Sequence, residues 1–115
     1  GYYGTAKELT IPGSVTTIDY RAFSDCSHLT SVTIPEGVTT IGASAFSGTG
    51  LKTIYLPAGL ESVEYLAFAV DTNYVQDGVK VYYAGTEADF EKLDFSFTQW
   101  GLRTSSTEII YDYKP

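Results

Sequence analysis

The sequence predicts an α/β repeat fold, a β-rich solenoid with short helical turns that has about three coils and a C-terminal cap. Three observations favour this fold class. An apolar pattern recurs at a nearly constant step, a proline follows the same strand position in each copy, and the recurrence stops near residue 70. We expect residues 1–70 to form the coils, with a truncated N-terminal end, and residues 71–115 to form the cap.

The first side of each coil is a short strand that ends in proline. The motif appears at Leu9–Pro12, at Val32–Pro35 and at Ile54–Pro57. The step is 23 residues between the first two copies and 22 between the second and the third. Alternate residues of a strand point to opposite faces, so Val32 and Ile34 should point inward. Proline has no N–H to donate to a neighbouring strand, and it therefore ends each strand.

The second and third sides follow from the rest of the repeat. Val38 and Ile41 indicate a second extended segment, and Ala43–Phe46 is long enough for one helical turn only. Its alanines allow neighbouring coils to approach closely, and its phenylalanine should enter the core. The phenylalanines of successive copies should therefore form one column: Phe23, Phe46 and Phe68.

The period fails after this column, and the remaining pattern indicates a cap. A polar loop is followed by an expected strand at Val79–Tyr83 and a last strand at Glu108–Tyr111. Between them, Thr86 can cap a short helix whose third residue is Asp89, as in a capping box. An open solenoid end exposes apolar residues and an unpaired edge, which such a segment would cover.

Composition excludes several classes of function. The net charge is −7, which argues against nucleic acid as a partner. The sequence has no apolar run of about 18 residues, so we expect no membrane insertion. Cys26 and His28 are the only cysteine and histidine, which rules out an intrachain disulfide and a zinc site of the Cys/His type. They lie two residues apart in a predicted turn, where we expect a packed cysteine beside an exposed histidine.

No metal, cofactor or catalytic group is predicted. Asp71, Asn73 and Asp77 are oxygen ligands that suit calcium, but Val75 occupies a ligand position and Gly78 comes too late for an EF-hand loop. A solvated loop is the better interpretation. Pairs of acidic residues occur elsewhere, yet a continuous repeat surface offers no cleft across which two carboxylates could act together. The sequence therefore predicts a protein that is not an enzyme.

The candidate partner-binding face is the outward side of the first strands. Tyrosine offers contact area and a hydroxyl group at low entropic cost, and repeat proteins bind partners on such extended faces. Ordinary β-favouring surface residues would give the same composition, and this alternative stays open. The candidate residues are Thr10, Ser31, Thr33, Thr53, Tyr55, Lys80 and Tyr82. The sequence leaves open whether Lys80 or Tyr82 continues the row of Thr10.

The repeat resembles the BspA-type leucine-rich repeat. Residues 29–48 carry the likeness, of which residues 29–46 follow the pattern L-x-x-[VI]-x-[IL]-P-x-x-[VL]-x-x-I-G-x-x-A-F, and the likeness covers about residues 9–70. The sequence departs from the family at Thr49, where cysteine is usual. It also departs at Asp19 and Glu64, because the commoner residue at this position is glycine, as at Gly42 in the middle copy. Val81–Phe90 is more loosely similar to the segment that often closes such arrays.

The resemblance implies a leucine-rich-repeat protein that is secreted or displayed on the cell surface, often in a host-associated bacterium. It implies a non-enzymatic module for adhesion or protein–protein interaction, whose partner is a host extracellular-matrix or cell-surface protein. Two alternatives remain: a structural spacer that displays another domain, and a face that uses its tyrosines to bind carbohydrate.

Overall fold

The strands fall into two parallel sheets in the computed structural model, which describes residues 7–68, 78–93 and 107–114. One sheet contains, in spatial order, β1 (Glu8–Thr10), β3 (Ser31–Thr33), β5 (Thr53–Leu56), β7 (Lys80–Tyr83) and β8 (Glu108–Ile110). The other contains β2 (Thr17–Ile18), β4 (Thr40–Ile41) and β6 (Ser62–Val63). Within the described residues the α-helix is α1 (Glu87–Glu91).

Strands of successive repeats pair in parallel at the step that the sequence shows. In the five-stranded sheet, Val32 lies opposite Leu9 on one side and Ile54 on the other. In the three-stranded sheet, Ile41 lies between Ile18 and Val63. Equivalent apolar residues are therefore neighbours, and a shift by one residue would turn them outward.

The third side of the repeat also joins its neighbours through backbone hydrogen bonds. The Phe23 N–H donates to the Ala45 carbonyl at 2.8 Å, and the Phe46 N–H donates to the Ala67 carbonyl at 2.7 Å. These bonds hold the phenylalanine rings in one column. The Phe46 ring lies 5.3 Å from Phe23 and 5.5 Å from Phe68, centroid to centroid. The predicted column is thus present, with Phe46 and Phe68 buried and Phe23 half-buried.

The prediction of a helical turn on this side is wrong. Ala43–Phe46 forms tight turns instead, in which the Ala45 N–H donates to the Gly42 carbonyl at 3.2 Å. Ser44 has a φ of 57°, which a right-handed helix does not allow. The equivalent residues Arg21 and Leu66 have φ values of 56° and 57°. Each of these turns on the third side therefore holds one residue in the left-handed region.

Thr49 departs from the usual cysteine of the repeat without disturbing the core. It is 4% exposed, and its hydroxyl donates a hydrogen bond to the Phe46 carbonyl at 2.8 Å. A buried hydroxyl is costly only when it has no partner. The threonine therefore fits here because it satisfies its own hydroxyl at the end of the turn.

The C-terminal segment extends the larger sheet. β7 pairs in parallel with β5, and β8 pairs in parallel with β7. Thr86 caps α1 in a capping box: its hydroxyl accepts from the Asp89 N–H, and the Asp89 carboxylate accepts from the Thr86 N–H. The buried ring of Phe90 fixes the helix, since it packs edge-on against Tyr83 at 5.0 Å and against Tyr111 at 6.0 Å.

Candidate binding face

The outward face of the five-stranded sheet carries two rows of side chains. Parallel pairing sets both rows, because each residue lies beside its equivalent on the next strand. The first row, from β1 to β8, is Glu8, Ser31, Thr53, Lys80 and Glu108. The second row is Thr10, Thr33, Tyr55, Tyr82 and Ile110.

All seven residues proposed from the sequence lie in these two rows. The register decides what the sequence left open: Tyr82 lies beside Tyr55 and continues the row of Thr10, whereas Lys80 lies beside Thr53. The strands also bring Glu8 and Glu108 onto the same face. Neither glutamate is part of the repeated motif, so the sequence pattern alone did not point to them.

Three tyrosines form a cluster on this face. The rings of Tyr55 and Tyr82 stack at 4.9 Å with an angle of 14° between their planes. The ring of Tyr113 is tilted against both, at 5.2 Å from Tyr55 and 5.0 Å from Tyr82. We refer to Tyr55, Tyr82 and Tyr113 as the tyrosine cluster. It presents a preformed aromatic surface, because each ring is held in place by the other two.

Sequence reasoning missed Tyr113, which reaches the face through a turn after β8. Asp112 has a φ of 56°, and its N–H donates to the Gly85 carbonyl at 2.9 Å. The Tyr113 N–H then donates to the Tyr83 carbonyl at 2.9 Å. Aspartate tolerates the left-handed conformation better than most residues, but Asp112 offered no other signal that the chain returns to the sheet.

A groove of about 500 Å³ opens beside the tyrosine cluster. Its origin is the change of side-chain size along the second row, from Thr10 and Thr33 to Tyr55. The small threonines form the floor, and Tyr55 and Tyr113 form one wall. The groove spans β1, β3 and β5, about 10 Å across two strand spacings. It is thus long enough to receive the side chains of an extended segment.

The charges around the groove are acidic. Glu8 and Glu36 line it, and the lining residues that the structure describes include no Lys or Arg. Glu36 is held in position because its carboxylate accepts a hydrogen bond from the Ala58 N–H at 3.4 Å. Lys80 lies on the first row beyond Thr53, next to Glu108. The groove end of the face is therefore the negative end.

The phenol of Tyr55 is kept in its neutral form. Partial burial raises its pKa, and the neighbouring Tyr113, Tyr82 and Glu8 raise the pKa further. A neutral phenol both donates and accepts hydrogen bonds. Near neutral pH, Tyr55 therefore offers a hydrogen-bonding group and an aromatic ring to whatever occupies the groove.

Only some of the other candidates lie within the described residues. Cys26 is half-buried against the core, and His28 is exposed. The aspartates and asparagine considered for calcium lie outside the described residues, and within those residues no group of three or more His, Cys, Asp or Glu could hold a metal ion. No helix in the described part of the chain is long and apolar enough to cross a membrane.

Parallel sheets that extend by one strand per repeat, with side chains aligned in rows, are typical of repeat proteins, a class that includes the leucine-rich-repeat proteins. The family model for the BspA type leucine rich repeat region (6 copies) matches residues 2–76. The chain therefore belongs to the BspA-type leucine-rich repeat family. Comparison with curated proteins and with solved structures found no match.

Membership of the family carries general expectations. Leucine-rich repeats generally mediate protein binding, and the family is typically non-enzymatic. BspA-type repeats usually occur in surface or secreted bacterial proteins.

Proposed function

We propose that this chain is a non-enzymatic protein-binding module whose binding surface is the outward face of the five-stranded sheet. The single observation that supports this most strongly is the tyrosine cluster beside a groove. Tyrosine, with tryptophan and arginine, is among the side chains most enriched at the energetic centres of protein interfaces. A cluster of three on an exposed sheet face, where small polar residues would suffice for folding, favours recognition over simple solvation.

The architecture that we propose for this module is a solenoid of about three coils at residues 1–70, with a cap at residues 71–115. The parallel register of the strands supports the solenoid, and the capped helix α1 with buried Phe90 supports the cap. In this arrangement the binding face continues across the boundary, since β7 supplies Lys80 and Tyr82. The cap would then contribute to recognition as well as to stability.

We further propose that the module serves adhesion by a secreted or surface-displayed protein of a host-associated bacterium. The family supports this, since its members usually are surface or secreted bacterial proteins. The partner would be a host extracellular-matrix or cell-surface protein. The acidic balance of the chain, with a net charge of −7, suits a partner that presents a basic patch.

Binding to a panel of purified extracellular-matrix proteins and to whole cells tests the proposal. The face variant combines three substitutions, Thr33→Ala, Tyr55→Ala and Tyr82→Ala. The control combines Thr17→Ala with Tyr20→Ala and Tyr65→Ala, which removes one threonine and two tyrosine side chains outside the five-stranded sheet. Both of these tyrosines are more than 60% exposed. We expect the face variant to lose about tenfold or more in affinity and the control to lose none.

The same pair of variants separates this function from that of a spacer. If the chain is a spacer that displays another domain, any binding by the whole protein belongs to that domain, and neither variant would weaken it. Absence of binding to every protein and cell of the panel would remove the adhesion proposal. A glycan array tests the carbohydrate alternative, which requires binding to sugars that the face variant abolishes.

A further inference from the structure

The groove beside the tyrosine cluster combines three properties that together indicate the chemistry of its occupant. It spans three neighbouring strands, one of its walls is aromatic, and the charged residues of its described lining, Glu8 and Glu36, are both acidic. From this combination we infer that the groove binds an extended peptide segment of the partner that carries lysine or arginine. The inference rests on the proposed function and names the chemistry of the partner.

The aromatic wall offers a ring face to a cation. Tyr55 is stacked on Tyr82 through one face of its ring, at 4.9 Å. Its other neighbour in the row is Thr33, whose side chain is too small to cover a ring. The face of Tyr55 on that side therefore fronts the groove. Ammonium and guanidinium groups are attracted to such a face by the ring quadrupole.

The two carboxylates lie at the same groove, on different elements. Glu8 belongs to β1, and Glu36 lies in the turn after β3. Neither has an ion-pair partner among the described residues, where the one salt bridge joins Lys92 and Asp89 at 3.8 Å. A cation in the groove would therefore meet negative charge that the described part of the protein does not neutralise.

The shape of the groove favours an extended peptide segment over the surface of a folded domain. Its floor lies along Thr10 and Thr33, and its lining also includes Pro35 and Pro57, which follow strands β3 and β5. An extended chain presents alternate side chains to such a floor, so one basic residue can enter while its neighbours stay in solvent. Small side chains at the floor leave room for the long apolar stem of lysine or arginine.

The first part of the test uses short fluorescent peptides. The probes are a glycine- and serine-flanked peptide with three lysines, its arginine counterpart, its acetyl-lysine counterpart and its glutamate counterpart. We expect the lysine and arginine peptides to bind, and the acetyl-lysine and glutamate peptides to bind at least tenfold more weakly. Binding should weaken from about 0.01 M to about 1 M ionic strength, as the Debye length falls from about 30 Å to about 3 Å.

The second part of the test locates the binding. The variant Glu8→Gln with Glu36→Gln removes both charges, and glutamine keeps an acceptor for the Ala58 N–H. The control, Glu61→Gln with Glu64→Gln, changes the net charge equally at two exposed residues outside this groove. We expect the groove variant to lose about threefold to tenfold in affinity for the lysine peptide and the control to lose less than twofold. Amide shifts in NMR spectra should map to Thr10, Thr33 and Tyr113.

Three results would overturn the inference. Equal losses in the groove variant and the control would show attraction to net charge alone. Equal binding of the lysine and acetyl-lysine peptides would show that charge is not recognised, and shifts confined to residues outside the groove would place the peptide elsewhere. If the peptides fail while the face variant still loses its matrix-protein partner, only this inference falls; if that partner binding is also unaffected, the proposed function falls with it.

Discussion

The ring of Phe46 lies 5.5 Å from the ring of Phe68, and their planes are within 9° of parallel. Phe46 makes a similar contact on its other side, with Phe23 at 5.3 Å and 11°. It is therefore the central member of the column, and it is completely buried. Its removal would leave a cavity that borders both neighbouring repeats.

Phe46→Ala should lower the free energy of unfolding by about 3–5 kcal/mol, because transfer and cavity costs add at a closed site. Urea denaturation followed by circular dichroism measures this change. Phe23→Ala is the matched control. Its ring is half-buried, so we expect a smaller loss. Equal losses in the two variants would contradict a column with a closed centre and a more open end.

Gly42→Ala should destabilise the protein by about 1–3 kcal/mol through overpacking. A Cβ atom on Gly42 would lie 2.7 Å from the Tyr20 nitrogen and 2.8 Å from the Ile18 oxygen, which are backbone atoms of the preceding repeat. Gly13→Ala is the control, because no atom of the described residues lies within 4 Å of the position of its Cβ atom. Thermal unfolding should separate the two variants, and an unchanged midpoint for Gly42→Ala would contradict the close approach of the repeats.

Thr86→Ala should cost about 0.5–2 kcal/mol, since it removes the hydroxyl that accepts the Asp89 N–H at 3.1 Å. Chemical denaturation gives the change in unfolding free energy, and amide exchange in α1 should accelerate. Thr86→Ser retains a hydroxyl at the cap and should lose much less. A serine variant as unstable as the alanine variant would show that the methyl group, and not the cap, matters.

Stability should fall at alkaline pH. Burial raises the pKa of Tyr83 above its ordinary value of 10.0, and the nearby Asp89 and Glu36 raise the pKa further. The folded state therefore holds this proton more tightly than the unfolded chain does. The resulting stability is complete below about pH 10 and is lost as the pH rises through the higher folded-state pKa.

Urea unfolding between about pH 8 and about pH 11 measures the effect. The pKa of Tyr111 is raised in the same direction, first by burial and then by Glu87 and Glu91, so it contributes to the same loss. Tyr83→Phe removes one of these titrating groups, and the fall of stability with pH should become shallower. An equally steep fall would assign the loss to other groups.

The repeat made much of this structure predictable. The nearly equal spacing of Leu9, Val32 and Ile54 favours the register of the larger sheet, because a shift by one residue would turn an apolar residue outward. The spacing of Thr86 and Asp89 likewise predicted the capping box. The apolar residues were predictable because they recur in each repeat, and the capping box because its two residues are close in the sequence.

The rest depends on contacts between distant segments. The register of β7 could not be read from the repeat, since the period ends before Lys80. Tyr113 joins the tyrosine cluster only because Asp112 turns the chain back over the sheet. The register of β7 and the position of Tyr113 therefore depend on where the chain rejoins the sheet after the repeats. No short sequence motif predicts that position.

The left-handed residues in the turns of the third side show most directly how neighbouring repeats depend on one another. Arg21, Ser44 and Leu66 share nearly the same φ although their side chains differ in charge, size and polarity. For residues other than glycine this conformation costs about 1–2 kcal/mol, so the side chain does not select it. Hydrogen bonds to the adjoining repeat favour it at two of the three positions: the Arg21 N–H donates to the Ala43 carbonyl at 3.1 Å, and the Ser44 N–H donates to the Tyr65 carbonyl at 3.2 Å. A single repeat excised as a peptide would relax out of this shape, and fraying at one end of the stack would propagate inward repeat by repeat.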